Sequence, residues 1–595
     1  MFLPLASFVR LPLVALALLH HPGAGAAQTP ARTPHTAAAS LPAVQNLGLG
    51  IDHSRVLHVE GTRAVFSIGN FSGVRLFDLE SGTVLDTGLD PTNALSARAF
   101  GDFVLGAVRE STTGTDANGD GDTTDQVVAL FAPSNGTTTF LSAHPGYAFP
   151  INSAGRYVAE NKGVLAIEVG ESQEGGIDRN GDGDSEDVVV QTFLVGEENR
   201  IQSFGGTSPA SVPLTRRAGL LPSTSTLFGV LYFPFESTFV ATRDHVLVGV
   251  SECSIGSGVD LNGDGDALDG RILHALPVRG GPSRNLGVEV GLEVRRLGPD
   301  AAALVPEFLQ AADLNGDGDQ DDRIFHVWKD DPGVLVNTNI HAERFVELST
   351  MWRLGLPEAE LDLDLNADGD RLDTVDHLYD SCTGSLVNLG VELTRAVEIG
   401  GVLLVGVDED AQGEDLNGDG DARDVVLHEY EIARGELTSL VTAIGAIGEP
   451  LIAGSRLGAI LVNERAQQAD FNFDGDTLDN VVGVYDAVTD TYANLALATN
   501  RPLPGSSGRY QAFLVNEEAD GERDLNGDGD TEDDVLHVYD AVAGEVTSTG
   551  LHVSGIAVSE ELLFFGVDEF AQGQDLNGDG LLDQVIAHVV DLRSP

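Results

Sequence analysis

Lysine is almost missing from this chain: of 595 residues only Lys162 and Lys329 carry it, and Lys and Arg together total 33 against 93 Asp and Glu. The formal charge of −60 repels phosphate backbones and anionic lipid, which excludes nucleic acid and acidic membrane surfaces as partners. Two cysteines, Cys253 and Cys382, are too few for a disulfide framework. Two Trp and 6% aromatic residues leave little for a sugar-stacking surface. No apolar run is long enough to span a bilayer. The longest, Leu11 to Leu19, follows Arg10 and precedes small residues with an A-x-A at Ala24 and Ala26. Residues 1–26 therefore read as a secretory signal peptide and 27–42 as a flexible linker, so a secreted or extracytoplasmic protein without a membrane span is expected. There is no amphipathic helix pattern, and no P-loop, nucleophile elbow, HExxH or CxxC.

What is present is a repeat. The string D-x-N-x-D-G-D-x-x-D starts at Asp116 (with Asn118, Asp120, Asp122, Asp125), Asp178 (Asn180, Asp182, Asp184, Asp187) and Asp260 (Asn262, Asp264, Asp266, Asp269). It returns at Asp313 (Asn315, Asp317, Asp319, Asp322), Asp364 (Asn366, Asp368, Asp370, Asp373) and Asp415 (Asn417, Asp419, Asp421, Asp424). Two further copies start at Asp470 (Asn472, Asp474, Asp476, Asp479) and Asp524 (Asn526, Asp528, Asp530, Asp533). A shortened ninth runs from Asp575 through Asn577 and Asp579 to Asp583. The last six intervals are 53, 51, 51, 55, 54 and 51 residues, and the first two are 62 and 82.

Each period places an apolar run ending in Glu before the string, as in Gly401–Glu409, and an alternating run after it, as in Asp534–Asp540. Alternation of period two, Val enrichment and glycine punctuation indicate strands. Four short strands per unit of about 50 residues is the arithmetic of a β-propeller blade. Residues 55–90 form a unit without the acidic string, and the last unit lacks its fourth strand. Val44–Gly50 resembles the fourth strands at 284–290 and 386–393. The expectation is an all-β fold over 43–595: a single closed β-propeller of about ten four-stranded blades, with an N-terminal strand completing the last blade. The acidic strings then connect second to third strands and form a crown on one face. An insert near 206–240 joins them there, its Phe228, Tyr232, Phe233 and Phe235 offering a partner-contact surface.

Hard oxygens at positions 1, 3, 5, 7 and 10, turned by a glycine at position 6, suit Ca²⁺ at up to nine sites. An EF-hand would place Glu at position 12, where these strings carry mostly Val or Ile entering a strand. The loops resemble those of the integrin-α (FG-GAP) propellers and, more loosely, thrombospondin type-3 repeats and dockerins. Their D-x-[DN]-x-D-G-x-x-D pattern is reproduced only by Asp575–Asp583. The resemblance implies a calcium-stabilised extracellular propeller and no particular partner.

Glu110, Glu307, Glu358, Glu409, Glu464, Glu518 and Glu569 stand six residues before their first Asp, with Glu171 and Glu252 slightly farther. They are read either as added ligands or as charges marking strand exit. Histidines recur in the third strand (His274, His326, His377, His428, His537, His588) and are read as hydrogen-bonding between blades rather than as ligands. Two functions follow: a calcium-stabilised binding or adhesion scaffold for a protein or surface ligand, or a calcium-dependent hydrolase with its site at the channel mouth on the loop face.

Overall fold

The computed structural model describes residues 42–68, 73–90, 97–116, 121–124, 126–140, 164–170, 188–195, 201–203, 213–214, 239–250, 252, 260–278, 283–291, 293–443, 452–453, 455–501 and 503–593. Residues 1–26, read as a signal peptide, nearly all of the expected linker, the Asp178 loop and most of the 206–240 insert lie outside them.

The described residues are built from antiparallel strands, arranged as seven four-stranded sheets and one nine-stranded sheet. The strands Leu393–Ile399, Val402–Asp408, Val425–Glu431 and Glu436–Ala443 show the unit. They pair in chain order as a meander, Asp408 opposite Val425 and Tyr430 opposite Leu437. Second and third strands bury both faces, as in Val402–Asp408, whereas a fourth strand such as Ser385–Asn388 is mostly exposed. Two-sided burial explains why the second strands read as continuous apolar runs rather than alternating ones.

The apolar residues meet between successive units. Phe325 of one unit packs against Phe345, Trp352 and Tyr379 of the next, with ring centroids 5.6–5.9 Å apart. Leu378 packs with Leu403 and Val405, and Leu404 with Ile460 and Val462. The same kind of core joins the two ends of the chain: Phe564, Ala587 and Val589 cluster with Ala64, Phe66 and Phe77, and Phe66 lies 4.9 Å from Phe564. The strand Gln45–Glu60 serves two units. Its first part pairs with the last strand, Gln45 opposite Val589 and Ile51 opposite Val585. Its second part pairs with Arg63–Ile68, Val59 opposite Ala64. The N-terminal strand therefore supplies the fourth strand of the last unit, and the nine-stranded sheet results from strands that change partners midway.

Among the described residues helix is confined to single turns. Glu110–Thr113, Glu358–Leu361, Glu409–Gln412, Glu464–Gln467 and Glu569–Gln572 are four residues each, and Glu307–Leu309 is a 3₁₀ turn. Segments of one turn are too short to carry an amphipathic periodicity, which agrees with the lack of such a pattern in the sequence. Among the described residues no helix is long and apolar enough to cross a membrane. Cys382 is an exposed free thiol in the turn before a fourth strand, and Cys253 lies outside the described residues.

Candidate metal centres in the acidic loops

The loop between Asp408 and Val425 shows how the string folds. Asp415 turns the chain with both carboxylate oxygens, Oδ1 accepting from Gly418 N–H at 2.6 Å and Oδ2 from Gly420 N–H at 3.0 Å. Asn417 Oδ1 accepts from Asp419 N–H at 2.9 Å, and Asp419 Oδ1 from Asp421 N–H at 3.1 Å. Asn417 and Asp419 thus each hydrogen-bond the backbone two residues on, the turn-forming habit of Asx residues. Gly420 at position 6 has φ +108°, a conformation only glycine adopts without strain. Position 4 is also left-handed, and it holds Ala367 (φ +67°) and Phe473 (φ +63°) in two loops.

The preceding Glu organises the loop from beneath. Glu409 is fully buried. Its Oε1 accepts from Leu416 N–H at 2.6 Å and Asn417 N–H at 3.1 Å, and its Oε2 accepts from Asp424 N–H at 3.0 Å. The same pattern holds Glu252, Glu358 and Glu464, and Glu307 Oε1 likewise accepts from Leu314 and Asn315 N–H; all four are fully buried. The reading of these residues as charges marking strand exit is therefore incorrect. Glu307 Oε2 and Glu569 Oε2 are buried without any hydrogen-bond partner.

These carboxylates converge with positions 7 and 10. One ligand atom from each of Glu409, Asp421 and Asp424 lies within 4.8 Å of the other two, and so do those of Glu358, Asp370 and Asp373. Glu307, Asp319 and Asp322 form the same group, as do Glu252, Asp266 and Asp269. The closing Asp is held from inside by the Asn at position 3: Asn417 Nδ2 donates to Asp424 Oδ2 and Asn366 Nδ2 to Asp373 Oδ2, both at 3.0 Å. Asn366 Nδ2 also donates to Ala411 O at 2.9 Å, and Asn472 Nδ2 to Ala519 O at 3.1 Å. Consecutive loops are thus stitched together on one side of the sheets.

Two placements differ from the sequence reading, and one loop is described only in part. In the Asp524 loop the buried residue is Glu517, whose Oε2 accepts from Asp533 N–H at 3.2 Å, whereas Glu518 is exposed. In the Asp575 loop Glu569 N–H donates to Gln584 O at 3.0 Å, the place taken by Asp424 opposite Glu409. Gln584 rather than Asp583 thus holds the closing register, its Nε2 donating to Asp579 Oδ2 at 2.7 Å. In the Asp116 loop Asp116 Oδ2 accepts from Gly121 N–H at 3.1 Å, while Asn118, Asp120 and Asp125 lie outside the described residues. Phe228, Tyr232, Phe233 and Phe235 lie outside them as well.

Crowding of acids perturbs the closing position. Burial first, then the hydrogen bond and charge of Glu289, push Asp269 up to about 7. Asp479 is pushed up to about 7 by burial and then by the charges of Asp474 and Glu464. Asp322, Asp373 and Asp533 are each raised to about 6, with burial the largest cause. Carboxyl groups so disfavoured as anions are the groups a bound cation would relieve.

Residues on the fourth strands or, for Glu392, just past one also reach the loops, although the sequence reading gave them no such role. Glu289 Oε1 accepts from Gly270 N–H at 2.9 Å, and Glu392 Oε2 from Thr374 N–H at 3.2 Å. His341 lies beside Asp322 and His552 beside Asp533. Their signal is register: His341 pairs with Ile324, and His552 with Val535, each the residue two after a closing Asp.

The third-strand histidines stand apart from these groups. His326, His377 and His588 are buried, and each Nδ1–H donates to the carbonyl two residues earlier at 2.9–3.0 Å. The bond lies within the strand rather than between units, which corrects that expectation. Burial lowers their pKa values, His377 to about 4.

No family model matches the chain, and no curated protein matches it. Among solved structures it is similar to the tricorn protease, at 10% identity over 93% of this chain and 50% of that one, with a TM-score of 0.21. It is also similar to apo AztD from Citrobacter koseri, at 13% identity over 71% of this chain and 90% of that one, TM-score 0.29. The β-propeller domain of the Trilobed protease from Pyrococcus furiosus matches at 10% identity over 46% and 76%, TM-score 0.26. This chain spans half the length of the tricorn protease chain. Likeness at this level bears on neither activity nor ligand.

Proposed function

We propose that this chain is an exported, calcium-stabilised β-propeller, a single closed ring of about ten blades, serving as a binding or adhesion scaffold. The observation that carries the cation reading is the buried Glu beneath each described loop. Glu307 and Glu569 keep Oε2 buried without a hydrogen bond, and leaving a carboxylate oxygen so placed costs several kcal/mol unless a positive charge faces it. Oxygen-only groups of this kind match Ca²⁺, a hard ion that accepts six to eight oxygens in flexible geometry. Closure of the ring is supported by the pairing of Gln45–Ile51 with the last strand and by the Phe66–Phe564 contact.

The scaffold reading is favoured over hydrolysis because the loop acids are already committed. In the Asp415 loop, Asp415, Asn417, Asp419 and Glu409 all accept backbone N–H groups, and Asp424 accepts Asn417. Such groups hold a loop in shape. Calorimetric titration of metal-stripped protein with calcium tests the reading: several equivalents, up to nine, are expected, and absence of binding at millimolar calcium would overturn it.

A further inference from the structure

We infer that the Asp313 loop carries a second cation position on its outer side, built on His341 and suited to a borderline divalent transition ion such as Zn²⁺. The inference rests on the loop being a cation site, because Asp322 belongs to both groups. Asp322 turns Oδ2 inward, accepting from Asn315 Nδ2 at 2.6 Å. Its Oδ1 faces His341 Nδ1 at 2.7 Å. His341 is 4% exposed, and its Nδ1 makes no hydrogen bond although Asp322 Oδ1 stands 2.7 Å away. A buried ring nitrogen and a carboxylate oxygen that converge without hydrogen-bonding are arranged as two ligands of one ion. With ligand distances of about 2.1 Å, atoms 2.7 Å apart subtend about 80° at the ion, an angle nearer the octahedral than the tetrahedral one.

The other ring nitrogen supports this. His341 Nε2 lies 3.0 Å from Glu360 Oε2 on the helical turn of the next unit. A carboxylate beside Nε2 favours the tautomer with its proton there, which leaves the Nδ1 lone pair for metal, as in the common pairing of a ligating histidine with a supporting carboxylate. Glu360 is then a positioning residue. His552 provides the contrast: it also lies near its closing acid, Nδ1 being 2.8 Å from Asp533 Oδ1, but Nδ1 already accepts from Asp534 N–H at 3.3 Å. A nitrogen ligand also separates this position from the all-oxygen groups of the loops, since imidazole suits transition ions and is a poor calcium ligand.

The test is equilibrium dialysis of the intact protein against Zn²⁺ in excess calcium, with both metals counted by atomic emission. Wild type is expected to retain one more zinc equivalent than H341Q, while H552Q retains as much as wild type and the calcium count is equal in all three. E360Q is expected to weaken the zinc equivalent about tenfold or more without changing calcium. Equal zinc in wild type and H341Q would overturn the inference, as would an equal loss in H552Q. Because calcium is counted in the same samples, failure of the loops to bind calcium is read separately from failure of the zinc position. Unchanged melting of H341Q in calcium confirms that a lost equivalent is not lost fold.

Discussion

Asn46 Nδ2 donates to the carbonyl of Leu576 at 2.9 Å, across 530 residues of chain. The same bond recurs locally elsewhere: Asn285 to Leu261, Asn337 to Leu314 and Asn388 to Leu365, each from a fourth strand to position 2 of its own loop. Asn46 also accepts from Gly48 N–H at 2.7 Å, as Asn388 does from Gly390. The N-terminal strand thus supplies the last unit with both the pairing and the loop-holding Asn that the units of Asn285, Asn337 and Asn388 own.

Removing residues 42–51 should therefore uncover the edge of Val585–Asp591, lower the melting temperature by several degrees and promote association through the exposed strand. Asn46→Ala alone should cost about 1 kcal/mol. Differential scanning calorimetry and light scattering read both effects, and a truncated chain that melts like the intact one would show that the strand pairing contributes nothing.

Glu517 and Glu518 are adjacent, but only Glu517 is buried beneath its loop. Glu517→Gln should lose one calcium equivalent and about 2–3 kcal/mol, since a buried acceptor of charged hydrogen bonds is replaced by a neutral amide. Glu518→Gln should change stability by less than about 0.5 kcal/mol. Calcium titration and chemical denaturation of the two variants separate them.

The third-strand histidines make stability depend on acid. In the fold His377 is lowered to about 4, while in the unfolded chain it titrates near 6.5. Between these values the unfolded state binds the proton and the folded state does not, so stability present above pH 6.5 is lost as pH falls towards 4. His377→Gln should remove about 2–3 kcal/mol of the loss between pH 6.5 and 4.5. Denaturation at the two pH values measures it. An unaltered pH dependence would place the acid sensitivity elsewhere.

The repeat, the strands and the acidic loops were legible because each recurs with one spacing, and Asn46 was reachable because N-L-G returns at 285–287 and 388–390. Glu517 was not. Its loop opens with a turn rather than a helical turn and carries one more residue, so the six-residue spacing points to Glu518 while the bond from Glu517 N–H to Asp533 O sets the register. Gln584 escaped notice because it is a neutral residue at position 10, where the other loops carry Asp, and the neighbouring Asp583 drew the reading one residue short. His341 was hidden differently: strand pairing with Ile324 brings it to Asp322, and nothing near it in the chain marks it as part of the loop.

The charge of −60 is, on this account, largely an array of loops that need cations to hold their shape. At ~1 mM calcium and ~0.1 mM affinity each site adds about 1.4 kcal/mol. Across the ring this raises the melting temperature by about 10 °C. Thermal unfolding in millimolar calcium against chelator is the direct measurement. A rise of that order is the expected result, and the same melting temperature in both would contradict calcium as the element that stabilises this fold.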